Sequence, residues 1–92
     1  MQPIGSAVPG AIAELLRGAP MSPGKIDFAW KTAVGTAFGR VTTVRLEGHV
    51  LLVDAATPQW VREIRRSSPI ILRRLQTLLG NDAIRELTVR TR

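Results

Sequence analysis

Val44-Arg-Leu-Glu-Gly-His-Val-Leu-Leu-Val53 is the stretch on which the fold turns. Val44 and Leu46 alternate with Arg45 and Glu47, the period of two that sets one side of a strand on a core and the other in water. Gly48-His49 follows, a two-residue loop with glycine first, which suits a type II′ hairpin turn. Val50-Leu-Leu-Val53 is then apolar without interruption, so the second strand is either central or covered on both faces.

Helical periodicity flanks this hairpin. Toward the N terminus, Ser22 is a helix cap and Pro23 the first helical residue. Ile26, Trp30, Ala33, Val34, Ala37 and Phe38 recur every three or four residues and line one face of that helix. Gly35 and Gly39 cost helix propensity, which predicts a close neighbour at each, and Gly39 also marks a helix end. Ile12, Leu15 and Leu16 form a shorter helical segment that must dock on the rest, because so few turns are marginal alone. Residues 1–8, with Pro3 and Gly5, read as a loose lead-in.

Toward the C terminus, Thr57-Pro58 opens another helix, with Val61 and Ile64 inward and Arg62, Arg65 and Arg66 pointing away. Pro69 lacks an N–H and cannot continue it, but Ser68-Pro69 starts a further helix well. Ile71, Leu72, Leu75, Leu78 and Leu79 are its buried stripe, and Gly80 is its C-cap. Leu87 and Val89 alternate with Glu86, Thr88 and Arg90 as a last strand. The order predicts a single α+β domain over residues 9–90, a three-stranded sheet with helices packed on one face.

At 92 residues and 45% hydrophobic content the chain is one ordinary globular domain. Zero cysteines exclude a disulfide scaffold, thiol chemistry and cysteine-based metal centres, and His49 alone cannot build a histidine metal site. No signal peptide is visible and no apolar run approaches the ~20 residues of a membrane span, so the expected location is cytoplasmic. The seven carboxylates are scattered without a paired set, and no glycine-rich phosphate loop or metal-ligand spacing occurs. The expectation is no catalysis, no cofactor, no metal and no small-molecule substrate.

The 13 Lys+Arg against 7 Asp+Glu leave a net charge of +6. That excess attracts a polyanion or an acidic partner, or it reflects a coding bias toward arginine. Its distribution is uneven, for Arg62-Glu-Ile-Arg65-Arg66-Ser67-Ser68-Pro69 is followed by Arg73 and Arg74. Arg62, Arg65 and Arg66 share a helix face, Ser67-Ser68 presents hydroxyls and helix-start N–H groups, and Arg73 lies one turn further on. Together they suit phosphate oxygens, contacts that bring affinity rather than base reading. Base stacking has little support: Trp30 and Phe38 lie on the core stripe and there is no tyrosine. Trp60 either caps the core edge or anchors a partner.

Trp30 with Val34-Gly35, the hairpin, Thr57-Pro58-Gln59-Trp60-Val61-Arg62-Glu63-Ile64, then Leu72, Leu75, Leu79-Gly80 and the closing Leu87-Thr-Val-Arg90 follow one another in a characteristic order. Over residues 9–90 this pattern resembles the bacterial DciA family, long known only as a domain of unknown function. The resemblance implies a KH-like αββααβ domain in nucleoid-associated proteins that bind the replicative helicase DnaB and DNA, helping to place one on the other. By motif match it implies that Trp60 and Glu63 face the helicase. Nucleic-acid-binding KH domains carry a GXXG clamp; Arg65-Arg66-Ser67-Ser68 stands there instead, which implies a looser grip on phosphates. Family members commonly carry a flexible extension beside this domain, and this sequence stops at Arg92, which implies weaker binding or reliance on partners if that extension contributes. Outside the family, the charge and fold also fit an RNA-binding KH-like module or a protein–protein adaptor.

Overall fold

The computed structural model describes residues 15, 16 and 18–92. Its elements are α1 (Pro23–Val34), α2 (Thr36–Arg40), β1 (Thr42–Glu47), β2 (Val50–Ala55), α3 (Pro58–Arg66), α4 (Ser68–Leu79) and β3 (Glu86–Thr91). The lead-in expected at 1–8, and Ile12, lie outside the described residues. Leu15 and Leu16 are helical, and Leu16 packs against the core.

The hairpin forms as its spacing requires. β1 and β2 pair antiparallel from Thr42↔Ala55 to Glu47↔Val50. Gly48 takes φ 60° and, among the described residues, none other than glycine has a positive φ, which makes the turn type II′. β3 joins the other side of β2 in parallel, and the sheet order is β1-β2-β3. A parallel neighbour needs a crossover, and α3 and α4 supply it. The second strand is therefore central. Leu51, Val53 and Ala55 are buried while Val50, Leu52 and Asp54 stay partly exposed, so the helices cover one face only.

Trp30, Leu51, Ile64, Leu75, Leu78 and Ile84 are fully buried, and Val61, Ile71 and Val89 surround them. The fold is α+β, in an order consistent with a KH-like domain. Ser22 Oγ accepts from Lys25 N at 3.1 Å and Thr57 Oγ1 from Trp60 N at 3.3 Å, so both expected caps are in place.

The helix carrying Trp30 departs from its periodicity. It stops at Val34 because Gly35 turns to φ 87°, ψ 171°. A Cβ on Gly35 would meet nothing within 4 Å, so conformation and not a close neighbour explains this glycine. Gly39 is the close-approach position, where a Cβ would lie 3.0 Å from Lys31 Cγ. Beyond the break Ala37 faces water and Phe38 is only half-buried, so neither belongs to the core stripe. A polar chain runs through the junction: Trp30 Nε1 donates to Thr42 Oγ1 at 2.8 Å, and that hydroxyl donates to Phe38 O at 2.7 Å. The core thereby holds the short α2 and its phenylalanine in place.

Candidate nucleic-acid and partner interface

Val61 and Ile64 seat α3 on the core, which turns Arg62, Arg65 and Arg66 outward. The three arginines meet different neighbours. Arg65 Nη2 donates to Val89 O at 2.9 Å, bridging from α3 to the edge strand β3. Arg66 Nη1 lies 3.6 Å from Glu63 Oε1, an exposed pair worth little in water. Arg62, like Arg73 on α4, makes no side-chain hydrogen bond or ion pair among the described residues.

Only Ser67 separates α3 from α4. Its N–H donates to Glu63 O and Ile64 O, and its carbonyl accepts from Ile71 N at 3.0 Å. The Ser68 hydroxyl donates to Ile64 O at 3.0 Å. Pro69 contributes no N–H to the helix start. The carbonyl-rich end of α3 thus meets the N–H-rich end of α4, and their opposite dipole ends largely cancel. Any attraction for phosphate at this corner comes from the guanidinium groups of Arg62, Arg65, Arg66 and Arg73, with little added by Ser67, Ser68 or the helix start. With Arg65, Arg66 and Ser68 all helical, the segment has no open loop of the GXXG kind.

One turn earlier, Trp60 and Glu63 share a face of α3. Trp60 is half-buried and meets the Phe38 ring edge-on, with centroids 5.2 Å apart and planes at 78°. Phe38, Gln59, Trp60 and Glu63 line a shallow cleft of about 340 Å3. Trp60 has one side on the core edge and one side open. Phe38 is the residue that periodicity missed here. The signal was Gly35, whose break in the helix rotates Phe38 toward α3.

The open sheet face has its own charges, which pair internally. Arg45 Nε lies 3.2 Å from Glu47 Oε2, and Arg90 Nε donates to Asp54 Oδ1 at 2.6 Å. That hydrogen bond holds the Asp54 carboxyl below its ordinary 3.8, with the charges of Arg90, Arg45 and Arg92 acting in the same direction. A depressed carboxyl stabilises the fold above its unfolded value, and the contribution is lost as pH falls through the folded one. Between about pH 5 and pH 2, acidification should therefore lower the urea midpoint of the parent more than that of Asp54→Asn. The difference should be small, because the pair is exposed; equal pH profiles would show that the pair contributes nothing.

Among the described residues no group of acidic or histidine side chains is placed to hold a metal, and no helix is long and apolar enough to cross a membrane. No curated protein matches the chain. The family model described as Dna[CI] antecedent, DciA, matches residues 3–89. It takes in Trp30 and its glycine break, the hairpin, the Trp60 helix and most of β3, and the chain belongs to the DciA family.

Proposed function

We propose that this protein is a non-enzymatic DNA-replication accessory factor that binds the replicative helicase DnaB and DNA and assists helicase loading. Membership of DciA, a helicase-accessory family and not a known enzyme family, fits the replication role. The observation that carries the DNA part is the outward arginine face of α3. Among the described residues Arg62 and Arg73 stand without side-chain partners, whereas the arginines of the open sheet face are paired with carboxylates. Contacts of this kind go to phosphates and confer little sequence preference. The helicase part rests on Trp60 and Glu63, which line an open cleft beside that face.

A pull-down with the host's replicative helicase, with and without DNA, tests the reading. Retention of the helicase at low salt is the expected result, and no retention by folded protein would sink it. Preference for structured RNA over single-stranded or tailed DNA in competition would favour an RNA-binding module instead. Trp60→Ala should weaken helicase retention about tenfold while leaving a cooperative unfolding transition, as expected for an aromatic anchor at an interface. If the variant does not fold, the tryptophan is chiefly structural.

A further inference from the structure

A second groove opens between the α1–α2 junction and the first turn of α4. It encloses about 290 Å3, and Val34, Ala37, Phe38, Ile70, Ile71 and Arg74 are among its walls. Ile70 is 53% exposed, an unusual place for a large aliphatic side chain. Along α4 it stands three residues before Arg73 and four before Arg74, so its neighbours in the next turn are cationic. Arg74 is held differently from the others. Its Nη1 donates to Ala33 O at 2.7 Å in the last turn of α1, where the negative helix end favours a cation. Its Nε is buried without a hydrogen-bond partner, and no carboxylate lines the groove. The slot is largely apolar, and the charged side chain in its lining, Arg74, is positive.

We propose that this groove binds an acidic, apolar peptide segment of a partner protein. An aliphatic or aromatic side chain enters between Phe38 and Ile70, and a neighbouring carboxylate faces the guanidinium of Arg74, with Arg73 beside it on α4. Charge complementarity selects this occupant, since the walls require apolar surface and the cations require an anion. A nucleobase fits less well. It would bring polar edges against aliphatic walls, and the one aromatic ring present, Phe38, is already engaged edge-on by Trp60. A second copy of a chain carrying +6 is opposed by its own charge. The proposal is independent of helicase binding.

The test uses a short fluorescein-labelled amphipathic helical peptide, with leucines along one stripe and glutamates flanking them, titrated with the whole chain. Saturable anisotropy is expected, with loss of binding when the leucines become serine or the glutamates become glutamine. Ile70→Glu and Ala37→Glu, on opposite walls, should each weaken the complex by about tenfold or more. Both positions are exposed, so folding should survive. Arg45→Ala, on β1 and outside the linings of both this groove and the proposed helicase cleft, should leave peptide affinity unchanged.

No saturation by roughly 1 mM peptide would overturn the proposal, as would wall variants that bind like the parent. So would Ala37→Glu weakening an oligonucleotide as much as the peptide, which would make the groove a nucleic-acid site. A dimer in sedimentation that Ala37→Glu dissolves would identify a second copy as the occupant and equally end the proposal.

Discussion

Replacing Arg62, Arg65 and Arg66 together by alanine is expected to weaken DNA binding about a hundredfold at 0.1 M salt and to flatten its salt dependence. Each phosphate contact contributes about 0.7–0.9 to the slope of log K against log salt, so three lost contacts remove about 2–3 units. The variant should still fold, since Val61 and Ile64, which seat α3, are untouched. Losing the bond from Arg65 to Val89 O costs about 0.5–1.5 kcal/mol, and the exposed Arg66–Glu63 pair contributes less. Arg45→Ala is the matched control, because it removes a cation from β1, the sheet edge opposite β3. Fluorescence anisotropy with a labelled oligonucleotide across a salt series reads both effects. A triple variant with the parental slope would place the DNA contacts on another surface.

The largest expected loss of stability follows Trp30→Ala. Trp30 is 1% exposed, and truncating a buried tryptophan costs about 3–5 kcal/mol through lost burial and the cavity left behind. The change also strips Thr42 of its donor while that hydroxyl remains buried, holding Phe38 O. A domain of this size has only about 5–15 kcal/mol in total, so the variant should be near the limit of folding. With a urea slope of about 1–3 kcal/mol per molar, the midpoint should fall by roughly 2 M. Trp30→Phe restores much of the buried volume but not the N–H, and should recover more than half of the loss. If Trp30→Ala unfolds at the parental midpoint, the tryptophan does not hold the core. The two tryptophans thus make a contrast: Trp30→Ala should be read in denaturation, Trp60→Ala chiefly in partner binding.

The hairpin was legible because its signals are local. A two-residue loop led by glycine, flanked by alternation, leaves few other conformations, and Gly48 adopts the positive φ that the turn requires. The caps at Ser22 and Thr57 were legible for the same reason, each satisfying an N–H three residues away. Periodicity failed where a backbone break interrupts a continuous apolar pattern. Ile26 through Phe38 carry a helical spacing throughout, yet Gly35 redirects the chain and leaves Phe38 beside Trp60. Ile84 was invisible for another reason. It is fully buried in the core from the loop between α4 and β3, with no periodic neighbours to reveal it, and Gln76 donates to its carbonyl.

The candidate site shows the same division. That α3 has an outward arginine face follows from Val61 and Ile64 at helical spacing, and that the chain attracts anions follows from its composition. Which of these arginines also tie the fold together does not. Arg65 reaches a carbonyl 24 residues away and Arg74 one 41 residues away, while Arg62 and Arg73 have none among the described residues. A guanidinium on a long flexible stem finds its acceptor only after distant elements have packed. The dipoles at Ser67 cancel only because two helix ends meet there. Sequence alone determined the order of helices and strands apart from the break at Gly35, the hairpin turn and most of the buried stripes, since these depend on residues a few positions apart. The distribution of the +6 charge into paired, anchored and free cations belongs to the tertiary structure, because it depends on which carbonyls and carboxylates packing brings within reach.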